Sequence, residues 1–238
     1  MKNSSFILLA AATLCSFSSC KKVEGEGPVE TESRSVSNFS GIAANIGGTV
    51  YFSQAPEFKV ELSAQRNMLN LIETDKAGND LILKFKNGVN VGHHTDIRVH
   101  ISAPSLENLQ LNGSGKVHVT GDFVANQFNA ALNGSGNLLI DNLRINDLLT
   151  SGVNGSGNIR VLAGTVDTEN VKIIGSGNVD LSAVKATTSI AKISGSGTIK
   201  LNVVKNLDVT VSGSGNVFYY GNPVINTHIF GTGRVVRL

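Results

Sequence analysis

Ile173-Ile174-Gly175-Ser176-Gly177-Asn178-Val179-Asp180-Leu181 decides the fold. Ile173 precedes the first glycine by two residues, and Val179 and Leu181 follow the last by two and four. That alternation on both sides of a tight glycine corner reads as strand, turn, strand rather than helix. The corner recurs. Gly-Ser-Gly stands at Gly113–Gly115, Gly134–Gly136, Gly155–Gly157, Gly175–Gly177, Gly195–Gly197 and Gly213–Gly215, and Gly-Thr-Gly at Gly231–Gly233. Successive starts are 21, 21, 20, 20, 18 and 18 residues apart. A unit of about 20 residues that buries its apolar side only against its neighbours specifies an all-β, parallel β-helix or β-solenoid.

Aligned on the corners, the repeats form columns. Leu111, Leu132, Val153, Ile173, Ile193, Val211 and Ile229 lie two before the first glycine. Val117, Leu138, Ile159, Val179, Ile199, Val217 and Val235 lie two after the last; Val119, Ile140, Val161, Leu181, Leu201, Tyr219 and Arg237 come two further on. Each strand then pairs with its counterpart one coil away, and seven coils at about 4.8 Å stack to roughly 30 Å around an aliphatic interior. The corner needs positive φ, or a missing Cβ where coils approach closely. Asn137, Asn158, Asn178 and Asn216 follow the tripeptide and are placed to pass amide hydrogen bonds up a ladder. Leucine-rich spacing is absent, and Ser and Asn stand where calcium-binding nonapeptide repeats need aspartates.

Ahead of the repeats, residues 1–19 read as an export signal: Lys2, the apolar run Phe6–Leu14, then small residues. The run is too short to span a bilayer. Ser18-Ser19-Cys20 resembles a bacterial lipobox, so Cys20 is the expected lipidation site and the N-terminal anchor in the membrane. Cys15 is the only other cysteine, and a folded domain without cysteine has no disulfide or thiolate metal site. Residues 20–33, small, charged and turn-forming, read as a flexible tether. Residues 34–238 read as a single solenoid domain: atypical strands over 34–105, then the repeats over 106–238. Phe58–Leu62 and Leu81–Phe85 are strand candidates, with Ala77-Gly78-Asn79-Asp80 as a turn between them. Such atypical units cap a solenoid, and Arg237, in an apolar column, is placed to blunt the far edge.

Phe39-Ser40-Gly41-Ile42, the serial Gly-Ser-Gly corners, and Tyr220-Gly221-Asn222-Pro223 followed by Gly231-Thr232-Gly233 resemble one bacterial family. It is the one described as putative auto-transporter adhesin, head GIN domain, and the resemblance covers about residues 34 to 238. It implies a right-handed solenoid similar to pectin-lyase folds, on exported proteins of Bacteroidetes-like bacteria. It maps no binding residue onto this chain.

Chemistry is sparse. Twenty basic against eighteen acidic residues give a formal charge of +2, which argues against a nucleic-acid partner. Glycoside hydrolysis needs two carboxyl groups across a groove, yet Asp122, Asp141, Asp167, Asp180 and Asp208 fall at different offsets from their corners. The expectation is therefore a protein that is not an enzyme, with no cofactor and no metal. His93, His94, Asp96 and His100 form the one metal-like cluster, and adjacent histidines on a strand point to opposite faces. Arg160 and Lys200 share one outward column, interrupted by Asp180; Lys172 and Lys192 share another. These four suit an anionic glycan or lipid surface, and Phe218 and Tyr220, flanking inward Tyr219, suit a protein contact. The expected function is adhesion or envelope-scaffold binding by an outer-membrane lipoprotein, on either its surface or its periplasmic face, with a glycan or protein ligand. A carbohydrate-active enzyme and a periplasmic structural lipoprotein are the alternatives. Open solenoid ends also admit a homo-oligomer.

Overall fold

The computed structural model describes residues 22–238; the export signal and Cys20 lie outside them. The single strand-like span Lys116–Gly134 shows how one coil is made. It pairs in parallel with Asn137–Gly155, from Lys116↔Asn137 to Gly134↔Gly155, with register shifts only between Val119 and Asp122 and between Ala125 and Gln127. These two irregularities and the glycine corner divide the coil into three straight segments. The pattern repeats to the end, giving about six turns of β-solenoid with coils about 20 residues apart.

The register is the one the corners dictate. Leu111, Leu132, Val153, Ile173, Ile193, Val211 and Ile229 are successive partners, as are Gly113, Gly134, Gly155, Gly175, Gly195, Gly213 and Gly231. At each of these seven glycines φ lies between +104° and +137°, a region that side chains rarely tolerate. The close approach has a hydrogen-bond cause. The Gly113 carbonyl accepts both the Ser135 and Gly136 N–H groups, at 3.0 Å each, and Gly134, Gly155, Gly195 and Gly213 repeat the arrangement. A Cβ on the last glycine of the next corner would intrude as well: at Gly136 it would lie 2.5 Å from the Gly115 carbonyl oxygen. One glycine is needed for its dihedral angle, the other for space.

Inside, Val, Ile and Leu columns are buried to within a few per cent, each fully buried side chain contributing roughly 1.5–3 kcal/mol. The interior is not uniformly aliphatic. Phe52, Phe123 and Phe128 pack edge to face near its N-terminal end, with ring centroids 6.3 and 4.8 Å apart, and Ser151, Glu169 and Ser189 are buried further along.

The N-terminal third closes the stack differently. Gly41–Asn45 and Thr49–Gln54 form a partial coil pairing in parallel with the strands Asn108–Gly113 and Lys116–Gly134. Asp80–Phe85 and Arg98–Ala103 lie on its other side. Antiparallel strands then cover these: Ile72–Ala77 on Asp80–Phe85, Lys59–Gln65 on Arg98–Ala103, and Val29–Ser33 outermost on Lys59–Gln65. Two expectations change here. The stretch read as a flexible tether contains Val29–Ser33, a full partner in the sheet, and Lys22–Val23, paired with Asn90–Val91. Its alternating Val29, Thr31 and Ser33 can complete a ladder despite the charged residues between. The Ala77–Asp80 turn closes the hairpin of Ile72–Ala77 and Asp80–Phe85. It does not join the two strand candidates, which are separated by the short helix Arg66–Leu69 and a further strand.

Candidate functional site

Each corner presents its middle residue, Ser114, Ser135, Ser156, Ser176, Ser196, Ser214 or Thr232, to solvent. The first position after the corner carries the expected amide ladder in part. Asn158 Nδ2 donates to Asn137 Oδ1 at 2.9 Å and Asn178 Nδ2 to Asn158 Oδ1 at 2.8 Å. Thr198 then stands between Asn178 and Asn216. A second ladder, one residue before the corner, runs from Asn45 through Asn112 to Asn133.

Three residues beyond each corner, outward side chains form one continuous column. From the N-terminal end it reads His100, Tyr51, His118, Leu139, Arg160, Asp180, Lys200, Phe218 and Val236. Arg160, Lys200 and Phe218 thus share a line, with Asp180 between the two cations. Tyr220, two residues on from Phe218, is exposed, and Tyr219 between them packs partly against the core.

The upper part of this column is a ring cluster. His100 stacks on Tyr51 at 4.8 Å and 9°, and Tyr51 meets His118 at 6.1 Å. His118 Nε2 lies 2.6 Å from Asp141 Oδ1, and the Gly121 N–H donates to Asp141 Oδ2. Those two hydrogen bonds, the histidine first, hold the Asp141 carboxyl below its usual range. The offset from Gly115 places His118 in the column, but nothing in the spacing places Tyr51 or His100. The histidine cluster read from the sequence does not assemble: His94 Nδ1 contacts the Thr95 carbonyl, Asp96 pairs with Arg98, and His100 belongs to the rings. Among the described residues no three His, Cys, Asp or Glu side chains are grouped to hold a metal ion.

Before the corner, Lys172 and Lys192 stand directly opposite one another, flanked in register by Gly152 and Thr210. Both are exposed, and neither forms an ion pair among the described residues. Like charges placed opposite each other on neighbouring strands repel. Arg160 and Lys200 lie on the strands leaving the same set of corners in the other direction.

The acids do not converge. Asp122 is opposite Asn142, Asp180 opposite Arg160 and Lys200, and Asp208 opposite Ile190 and Asn226. A groove of about 800 Å³ runs along one side, with Glu107, Val124, Gln127, Asp147 and Leu148 in its lining; there Gln127 Nε2 donates to Asp147 Oδ2 at 2.6 Å. Among the described residues one carboxyl is buried. Glu169 occupies a core column with Leu149, Ser189 and Leu207, and desolvation pushes it up to about 8 against the Ser189 hydroxyl that favours its charged form.

A family model described as putative auto-transporter adhesin, head GIN domain, matches residues 38–223. Among solved structures, a protein described as a putative adhesin from Bacteroides fragilis NCTC 9343 superposes with a TM-score of 0.85 at 24% identity. That match covers 91% of this chain and 100% of that one. A putative adhesin from Parabacteroides merdae ATCC 43184 gives 0.73 at 23%, covering 91% and 99%. A protein described as a putative lipid binding protein from Parabacteroides distasonis ATCC 8503 gives 0.77 at 19%, covering 92% and 100%. At these identities the structures establish a shared fold. No curated protein matches the chain.

Proposed function

The chain belongs to the putative auto-transporter adhesin, head GIN domain family, and on that premise we propose that it is an exported, non-catalytic contact protein of the bacterial envelope. It is anchored through a lipidated Cys20 and attaches to anionic polymers. The observation that carries this reading is the stacked pair Lys172 and Lys192, exposed and without carboxylate partners among the described residues. Two like charges one strand spacing apart lower the stability of the sheet, and an anion laid across them relieves the repulsion. Arg160 and Lys200, on the other side of the corners, widen the basic surface. Phe218 and Tyr220 add apolar contact beside it. A repeat near 4.8 Å along the axis suits an extended ligand that gains a little from each coil.

The ligand is an acidic glycan. The purified protein is passed over immobilised uronic-acid and sulfated polysaccharides, a neutral polysaccharide, and anionic lipid vesicles. The proposal expects retention on the acidic glycans that falls steeply with added salt. Equal retention on the neutral polysaccharide contradicts it, and retention on vesicles alone transfers the basic surface to a lipid partner. Protease treatment of intact cells locates the domain: cleavage places it on the surface, protection in the periplasm.

A further inference from the structure

The two ends of the solenoid differ, and the difference specifies a partner. At the C-terminal end the strand Val224–Gly231 pairs with Asn206–Gly213 on one side, and among the described residues nothing lies along its other edge. All of its residues are exposed. Ile225 and Ile229 are 38% and 41% exposed, although their register partners Leu207 and Val211 are within the closed core. Interior columns therefore run out onto an uncovered face. The strand carries none of the lysines, prolines or inward charges that keep an edge from pairing with other chains.

From this edge we infer that two copies of the chain join tail to tail. Their Val224–Gly231 strands pair antiparallel about a two-fold axis through Thr227. The alternation of apolar and polar residues is symmetric about that residue. With Thr227 facing its own copy, Ile225 faces Ile229 on the inward side. Val224 then faces Phe230, and Asn226 faces His228, on the outward side. Each apolar residue meets an apolar one and each polar residue a polar one, in the arrangement that stabilises antiparallel pairs. A shift of one residue would set inward side chains against outward ones.

Charge selects this arrangement over head-to-tail stacking. The outermost strands of the opposite end carry Glu30, Glu32, Glu73 and Asp75, already engaged by Arg66 and Lys84. Laying an apolar strand over them would remove those charges from water without new partners. The strand with Arg234 and Arg237 is not laid on its own copy, because one two-fold axis bisects only one side of a three-sided coil. The contact is isologous and closes at two copies.

The test is sedimentation and light scattering of the full chain, with Thr227→Cys and Asn206→Cys variants compared under mild oxidation. The unaltered chain sets the background from Cys15 and Cys20. The inference expects twice the monomer mass, and a reducible cross-linked dimer for Thr227→Cys well above both Asn206→Cys and background. Ile229→Lys, whose new charge reaches solvent in the monomer, halves the mass while the strand circular-dichroism signal persists. A monomer at every concentration overturns the inference. So does a dimer in which Thr227→Cys cross-links no better than Asn206→Cys, since the two copies then meet elsewhere.

Discussion

The Ser189 hydroxyl donates to Glu169 Oε1 at 2.6 Å across one coil, inside the core, while Oε2 has no partner among the described residues. In the unfolded chain the Glu169 carboxyl loses its proton near 4.5; in the folded protein it does so at about 8. The stability tied to the neutral form is therefore complete below about pH 4.5 and is lost as pH rises to about 8. Glu169→Gln removes that dependence. At pH 8 the variant should be more stable than the unaltered protein by ~2–4 kcal/mol, with the gap closing toward pH 5. Denaturant titrations at several pH values check this, and parallel profiles for the two proteins would refute it.

Corner glycines and strand glycines should respond oppositely to an added methyl group. At Gly195 the group would overlap the Gly175 carbonyl oxygen, on a backbone with φ of +132°. Gly152 has open space around it and no positive φ. Gly195→Ala should cost at least ~2 kcal/mol, whereas Gly152→Ala should be neutral or stabilise by ~0.4–1 kcal/mol. Thermal unfolding of both variants measures the contrast.

The amide ladder offers a gain as well as a loss. Thr198 faces Asn178 on one side and Asn216 on the other, so Thr198→Asn joins them into one run. It should stabilise by ~0.5–1 kcal/mol, and Asn158→Ala, which removes two side-chain bonds, should destabilise by about the same amount or more. A loss of stability in Thr198→Asn would show that the ladder contributes nothing at that coil.

Much of the stack was legible because the corners fix the register. Counting from Gly175 puts Ile173 and Val179 on their partners. The same count, carried to six residues before each corner, finds Phe128, Leu149, Glu169, Ser189 and Leu207 in one column, so the buried carboxyl had a signal. The N-terminal cap had none. Val29–Ser33 joins the sheet only because Lys59–Gln65 is folded back beside it, and antiparallel neighbours leave no fixed spacing. Tyr51 and His100 are stacked although they lie far apart in the chain, a contact set by which coil each begins rather than by local pattern. The opposition of Lys172 and Lys192 was readable, whereas their lack of a carboxylate partner among the described residues depends on where every acid falls.

Attachment through the basic surface is tested most directly by replacing Arg160, Lys172, Lys192 and Lys200 together with serine and measuring binding to an immobilised uronic-acid polysaccharide at low salt. All four side chains are exposed, so thermal unfolding should match the unaltered protein within a few degrees. The account predicts at least a tenfold loss of affinity in a fully folded variant. Unchanged affinity in that folded variant would contradict it.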